Sequence, residues 1–215
     1  MTVITRKMLD DQNLNTIDQV MEKTPGITLY DSPMGGKYFY SRGFRMTGQY
    51  QYDGVPLDMG SSYVQADSFS SDMAFYDRVE ILRGAAGMLK GAGGTAGSVN
   101  FVRKRGQATP HTELTMSAGS WDNYRAQVDT GGPLNDAGTV RGRAVVTQQT
   151  RQYFYDLGDR KDQVYYGALD FDLSDATTLG LGMAYEDVDS RPCWGGLPRY
   201  SCLLYTSDAA DEGLG

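Results

Sequence analysis

The sequence predicts an α+β unit followed by antiparallel strands of a transmembrane β-barrel. Residues 1 to about 106 combine one helical pattern with short strands and turns. From Thr112 onward, five segments alternate apolar and polar residues, and compact turns between them alternate with long loops. Period-two alternation over about ten residues per segment, with short turns on one rim and long loops on the other, is typical of outer-membrane barrels.

The N-terminal part contains one predicted helix and several short strands. Four apolar residues follow a helical spacing, and Pro25-Gly26 ends the helix before the extended stretch "ITLY"; they are Leu14, Ile17, Val20 and Met21. Residues 30 to 77 mix short apolar pieces with Gly, Asp, Ser and Pro, which predicts short strands joined by loops. Two further strands, "RVEIL" and "GSVNFV", flank a glycine-rich stretch at residues 82–97.

The five C-terminal segments each place apolar and small residues on one side. That side carries Leu114, Met116, Ala118, Tyr124, Ala126, Val128, Gly142, Ala144, Val146, Tyr165, Gly167, Leu169, Phe171, Leu179, Leu181, Met183 and Tyr185. The opposite side carries charged residues such as Arg125, Asp129 and Asp170, and in the fifth segment small ones. Five strands do not close a barrel, so we expect an incomplete one. The alternative is a soluble β-sandwich, which requires both sheet faces to be buried.

The composition excludes several classes of protein. A formal net charge of -7 gives no electrostatic basis for binding nucleic acid. No apolar run approaches the roughly 18 residues of a membrane helix, and no signal peptide precedes the first motif. One histidine against 15 tyrosines is not typical of a hydrolase or metalloenzyme. We therefore predict that the chain is not an enzyme and has no metal ligands of its own.

The glycine-rich stretch "LRGAAGMLKGAGGTAG" does not meet the requirements of either of two phosphate-binding motifs. It lacks the Gly-Lys-Ser/Thr of a P-loop. The dinucleotide fingerprint matches at Gly91, Gly93 and Ala96, but a strand pattern and not a helix follows. A nucleotide-dependent enzyme would need a helix after Gly97. We predict instead that these glycines serve tight turns and close backbone packing.

Four motifs in order give the sequence a specific resemblance. These are "VMEKTPGI" at 20–27, "SRGF" at 41–44, "YDGVPL" at 52–57 and "RVEILRGAAGMLKGAGGTAGSVNFVRKR" at 78–105. Together they resemble the plug domain of TonB-dependent outer-membrane receptors. "WDNYRAQVDTGGPL", "DLSDATTL" and "WGGLP" are similar to the ferric-siderophore branch, of the hydroxamate, coprogen and pyoverdine type. The resemblance covers residues 2 to about 200; it departs from the pattern at Ala85, where proline often follows Arg-Gly.

The resemblance implies the architecture and its boundaries. Residues 1–108 are expected to form an N-terminally truncated plug domain, and residues 109–201 the first strands of a barrel of about 22 strands. Residues 202–215 are expected to be a non-native tail, because "CLLYTSDAADE" resembles a translated sequencing adapter. Cys202 lies in this tail, which leaves open whether Cys193 has a disulfide partner.

The resemblance also implies a function. Such receptors, in the outer membrane of Gram-negative bacteria, bind a ferric siderophore at the cell surface and import it into the periplasm with energy from the TonB complex. The implied partners are the siderophore, the TonB complex and outer-membrane lipid, with no nucleic acid. No cofactor is implied, since the iron arrives inside its chelator. A receptor for haem or cobalamin is the alternative within the superfamily, and the single histidine argues against haem.

The resemblance to TonB-dependent receptors also implies which residues bind the ligand and which pair with the barrel. The implied ligand-binding residues lie on outward loops: Tyr38, Gly48, Gln49, Ser62, Tyr63 and Trp194. For Tyr38 and Tyr63, packing between plug and barrel is the alternative role. The resemblance assigns Arg42 and Arg83 of the two Arg-Gly motifs to ion pairs with barrel glutamates, because a buried guanidinium requires a carboxylate partner. Those glutamates are expected in strands outside this chain.

Overall fold

The structure is a computed structural model that describes residues 1–31, 37–46, 50–57, 72–84, 96–153, 158–174 and 176–191. Two parts follow one another along the chain. We call residues 1–108 the N-terminal unit and the five strands after it the C-terminal sheet.

The N-terminal unit contains two helices and eight strands in its described residues. The elements are β1 (Thr2–Thr5), α1 (Arg6–Asp11), α2 (Ile17–Glu22), β2 (Ile27–Asp31), β3 (Lys37–Ser41), β4 (Phe44–Arg45), β5 (Tyr50–Tyr52), β6 (Val55–Leu57), β7 (Tyr76–Arg83) and β8 (Gly97–Arg103). One sheet has the order β1-β7-β8-β5-β6 and a second the order β2-β3-β4. Strands β5 and β8 run parallel, and the other neighbours run antiparallel.

The helices show where the sequence prediction is right and where it is incomplete. Helix α2 forms as predicted, and the Gln19 side chain accepts a hydrogen bond from the backbone amide of Thr16. Helix α1 was not predicted. The Thr5 hydroxyl caps it at the Met8 amide, and Arg6–Asp10 and Lys7–Asp11 ion pairs span one turn each. Neither helix in the described part of the chain is long or apolar enough to cross a membrane.

The core of the N-terminal unit lies between the helices and the β1-β7-β8-β5-β6 sheet. Leu9 of α1, Val20 and Met21 of α2, and Ile81 of β7 are fully buried. An aromatic cluster continues this core, because the rings of Tyr76 and Phe101 lie 5.1 Å apart and Tyr52 stacks on Tyr76.

The glycine-rich stretch has its predicted structural role at both described ends. Gly84 and Gly97 have φ angles of +94° and +137°, a region that favours glycine. A Cβ atom on Gly97 would lie 2.1 Å from the carbonyl oxygen of Leu82, so the close pairing of β7 and β8 requires glycine there. Strand β8 begins at Gly97, which removes the helix that a dinucleotide site needs. Residues 85–95, with Gly91 and Gly93, lie outside the described residues.

The C-terminal sheet confirms the five predicted strands. They are β9 (His111–Gly119), β10 (Asn123–Pro133), β11 (Val140–Gln152), β12 (Asp159–Ser174) and β13 (Thr177–Ser190). Each strand pairs antiparallel with the next in sequence, which gives the order β13-β12-β11-β10-β9. The sheet is not closed, because within the described residues β9 and β13 each pair on one edge only.

The register of the C-terminal sheet confirms the predicted faces. Ala126 pairs with Met116, Gly167 with Met183, and Leu169 with Leu181, so the apolar residues share one face. That face is open, with Met116 and Met183 exposed by 72% and 73%. The opposite face packs on the N-terminal unit, where Val145 and Thr147 are buried. Since the strands do not bury both faces, a soluble β-sandwich is not supported.

Small residues on the inner face of β13 make room for the N-terminal unit. A Cβ atom on Gly180 would lie 2.5 Å from the guanidinium of Arg105, and one on Gly182 would lie 3.7 Å from that of Arg103. Asp170 of β12 accepts hydrogen bonds from Arg105 and from the Gly106 amide, and Asp172 pairs with Arg141. Asp170 and Asp172 therefore bind arginines, and Asp170 lies on the polar side of the sheet, as predicted.

Candidate ligand-binding site

An exposed aromatic face on the β2-β3-β4 sheet is the candidate site in the described part of the molecule. The alternating strands place Leu29 and Phe39 on the core side. Tyr30 and Tyr38 are register partners on the other side, where Tyr40 also pairs with Arg45. Tyr30 is 50% exposed, and Tyr38 and Tyr40 are partly buried.

The aromatic rings and the cation on this face are in contact. The rings of Tyr30 and Tyr38 stack with centroids 6.3 Å apart and planes at 16°, whereas Tyr30 and Tyr40 meet edge to face at 6.5 Å and 89°. The Arg45 guanidinium lies 3.8 Å from the centroid of the Tyr38 ring. We call Tyr30, Tyr38, Tyr40 and Arg45 the tyrosine-arginine face.

This face can bind a ligand without any covalent chemistry. Tyrosine rings offer flat apolar area with a hydroxyl at the edge, and an arginine over a ring offers positive charge and planar hydrogen-bond donors. Such a combination suits a planar, oxygen-rich or anionic ligand. No group of His, Cys, Asp and Glu that could hold a metal ion occurs within the described ranges.

Of the predicted ligand-binding residues, Tyr38 lies on the tyrosine-arginine face. Gly48, Gln49, Ser62, Tyr63 and Trp194 lie outside the described residues, as do both cysteines. Sequence reasoning missed Tyr30, Tyr40 and Arg45. The period-two alternation in "ITLYD" and "KYFYS" carried the signal for the two tyrosines, because it places them opposite Leu29 and Phe39.

The two Arg-Gly arginines contact glycines of neighbouring motifs. Arg42 has a φ of +53°, and its guanidinium lies 2.9 Å from the position that a Cβ atom on Gly84 would take. The guanidinium of Arg83 lies 2.7 Å from the position that a Cβ atom on Gly26 would take, and it donates a hydrogen bond to the carbonyl of Pro25. Among the described residues, neither arginine forms an ion pair with a carboxylate. Their pairing with glutamates of further strands stays a prediction.

Comparison with known proteins identifies the family of the N-terminal unit and relatives of the whole chain. Residues 1–98 match the TonB-dependent Receptor Plug Domain family. Over 200 residues, 93% of this chain and 24% of the relative, the sequence is 85% identical to the ferric-pyoverdine M114 receptor of Pseudomonas sp. strain M114. It is 45% identical over 190 residues to the ferripyoverdine receptor of Pseudomonas aeruginosa, with 88% and 23% of the two chains covered.

Solved structures agree with the sequence comparison. The structure of Pseudomonas aeruginosa FpvA bound to a heterologous pyoverdine matches with a TM-score of 0.81 and 45% identity, covering 88% of this chain and 25% of that one. The chain spans about a quarter of the length of the curated relatives it matches. These relatives are named as receptors, which agrees with the prediction that the chain is not an enzyme. Residues 1–98 are therefore a plug domain of the TonB-dependent receptor family, and with the five antiparallel strands that follow it the chain is similar in sequence and fold to a part of the TonB-dependent siderophore receptors.

Proposed function

We propose that this chain is the part of an outer-membrane receptor that binds a ferric siderophore of the pyoverdine type and admits it to the periplasm. The tyrosine-arginine face is the observation that carries this proposal. It presents three tyrosines and a cation on a plug-type unit whose relatives are named for ferric pyoverdines.

The chemistry of the ligand explains why such a face suits it. A ferric siderophore brings its iron already enclosed by the chelator, so the protein binds the outer surface of the chelate and not the metal. Aromatic walls and hydrogen-bond donors meet that need. In this proposal Tyr38 acts together with Gly48, Gln49, Ser62, Tyr63 and Trp194, and Arg45 supplies positive charge. No cofactor takes part.

The outer membrane and the TonB complex belong to the same proposal. The apolar face of the C-terminal sheet, with Leu114, Leu181 and Met183 exposed, suits contact with lipid. Energy for uptake comes from the TonB complex of the inner membrane, by analogy with the family. Arg42 and Arg83 pair with glutamates of later strands, which fixes the Arg-Gly turns against the barrel wall.

The tyrosine-arginine face is tested by ligand affinity in a chimera. The 200-residue segment of this chain replaces the aligned part of the Pseudomonas sp. receptor, a substitution that 85% identity permits. Arg45→Gln removes a cation close to an aromatic surface, and we expect ferric pyoverdine to bind about tenfold more weakly. Tyr38→Ala is expected to have a comparable effect, because Arg45 loses the ring beneath it.

The matched control is Lys7→Gln, which removes a cation from α1. Lys7 is exposed and pairs with Asp11 on its own helix. Titration of purified protein with ferric pyoverdine, followed by intrinsic fluorescence, measures all three variants. Equal affinity of Arg45→Gln, Tyr38→Ala and Lys7→Gln would remove the tyrosine-arginine face from the proposed site.

A further inference from the structure

Two arginines lie opposite each other on the inner face of the C-terminal sheet, near the end of β11 and the start of β12. Arg151 and Arg160 are register partners in the antiparallel pairing of these strands. Arg151 lies on the same side of β11 as Thr147, which is buried on the inner face. Like charges directly opposite each other in a sheet repel, so this place favours negative charge.

One of the two arginines already has its carboxylate. Arg160 Nε donates to both oxygens of Asp162, at 2.7 and 2.9 Å. The side chains of Arg160 and Asp162 are 16% and 10% exposed. Because Asp162 is used by Arg160, it does not also balance the charge of Arg151.

Arg151 has no carboxylate partner among the residues that the structure describes. It donates to the hydroxyl of Tyr153 at 3.0 Å, and its guanidinium carbon lies 5.1 Å from the centroid of the Tyr153 ring. Its Nε atom is enclosed and has no acceptor in the same part of the chain. A tyrosine ring positions a guanidinium but supplies no full negative charge. Arg151 therefore keeps an unmatched positive charge and an unused hydrogen-bond donor.

Arg151 lies beyond the part of the inner face that the N-terminal unit covers. Along β11, Val145 and Thr147 are buried, whereas Arg151 is partly exposed, as is Tyr153 after the end of the strand. The strands β11 and β13 run in the same direction, so Arg151 lies at the rim of the sheet where β13 ends and the segment with Trp194 begins. A ligand at this rim can reach Arg151 without displacing the N-terminal unit.

The chemistry of this place fits a carboxylate. A guanidinium presents planar N–H donors that match the two oxygens of a carboxylate, and a charge-assisted hydrogen bond is stronger than a neutral one. Arg160 across the strand pair adds positive potential to the same place. A cation would be repelled here, and a neutral group would leave the charge of Arg151 unmatched.

We propose that Arg151, held over Tyr153, binds a carboxylate on the periphery of the ferric siderophore. This inference rests on the proposed function. It adds a contact from the C-terminal sheet to those of the tyrosine-arginine face on the N-terminal unit. The inner wall of the receptor then recognises the charge of the chelate, while the tyrosine-arginine face provides flat aromatic area.

Arg151→Gln in the chimera tests the contact, with Lys161→Gln as the matched control. Lys161 pairs with Thr150, beside Arg151, but its side chain lies on the opposite, exposed face. Both changes therefore remove one positive charge at the same height of the sheet. Titration with ferric pyoverdine, followed by intrinsic fluorescence, should show about tenfold weaker binding for Arg151→Gln and no change for Lys161→Gln. Arg151→Lys should bind with intermediate affinity, because it keeps the charge and loses the planar donors.

A second ligand shows whether Arg151 meets the carboxylate itself. Iron-loaded pyoverdine is coupled to methylamine, which converts its free carboxylates to neutral amides while the iron ligands stay occupied. We expect the unaltered chimera to bind this amidated chelate about tenfold more weakly than the native chelate. Arg151→Gln should then cause no further loss, because the group that Arg151 binds is already gone.

The outcomes separate this inference from the proposed function. Equal affinity of Arg151→Gln and Lys161→Gln for native ferric pyoverdine would overturn the inference. So would an equal loss for the native and the amidated chelate, since Arg151 would then act within the protein. An amidation loss much larger than the Arg151→Gln loss would place the carboxylates at another contact and would overturn it as well. If the unaltered chimera binds no ferric pyoverdine, the proposed function itself is wrong.

Discussion

Single residues decide stability most strongly where a charge is buried. Arg125 of β10 binds the carboxylate of Asp72, and both side chains are 5% exposed. Arg125→Met leaves that carboxylate enclosed without its cation, and we expect the chimera to lose about 3–5 kcal/mol of stability. The loss is measured as a lower thermal transition of the purified protein in detergent. The exposed pair of Lys7 and Asp11 provides the control, because Lys7→Gln should leave the transition in place. Equal transitions for the two variants would contradict the role given to Asp72 and Arg125.

Glycine is a second residue type with an effect that depends on its surroundings. Gly97→Ala places a methyl group against the carbonyl of Leu82 at a φ of +137°, and we expect a cost of at least about 1 kcal/mol. Gly167→Ala on the outer face meets nothing within 4 Å. Thermal unfolding of the two variants should therefore differ, with Gly97→Ala the less stable. A Gly97→Ala protein as stable as Gly167→Ala would contradict the close pairing of β7 and β8.

Among the elements, strand β13 has neighbouring residues that face two different environments, the apolar outer face and the inner face of the sheet. Met183 points to the apolar outer face and Ala184 to the inner one, since Gly182 and Gly180 on Ala184's side contact Arg103 and Arg105. If the outer face meets lipid, Met183→Lys should cost about 2–4 kcal/mol near the bilayer centre. Ala184→Lys should cost less. The yield of folded receptor in isolated outer membranes measures the difference, and equal yields would contradict the assignment of the faces.

The elements that the sequence predicts are those in which apolar residues recur at a regular helical or strand spacing. All five strands of the C-terminal sheet were predicted, because alternation over six or more residues in each segment leaves one register in which the apolar residues share a face. Helix α1 buries one residue, Leu9, where α2 of equal length buries three, and β1 has only four residues, so neither α1 nor β1 carries such a pattern. Their stability comes from caps, local ion pairs and pairing with the distant strand β7.

The candidate site was predicted only in part for a related reason. Tyr38 came from the family pattern, whereas Arg45 becomes part of the site only when β3 and β4 pair and place it beside Tyr40. The buried ion pair of Asp72 and Arg125 could not be predicted from the sequence, because the two residues are 53 positions apart. Contacts of this kind depend on how the N-terminal unit sits on the sheet, which no local pattern specifies.

At the scale of the whole molecule, the two parts are complementary. The N-terminal unit presents the tyrosine-arginine face, and the C-terminal sheet presents an open apolar face. Buried ion pairs, Asp72 with Arg125 and Lys104 with Asp129, join the two parts. Neither part alone accounts for both ligand binding and a place in the membrane. We therefore expect the two parts to act together as a segment of one ferric-siderophore receptor.

Uptake of radiolabelled iron tests whether the two parts act in this way. Cells that lack their own ferric-pyoverdine receptor are given the chimera, the unaltered Pseudomonas sp. receptor or an empty vector, and are supplied with iron bound to pyoverdine. We expect uptake by the chimera close to that of the unaltered receptor, and loss of uptake when the TonB complex is absent. A chimera that reaches the outer membrane but takes up no more iron than the empty vector would contradict it.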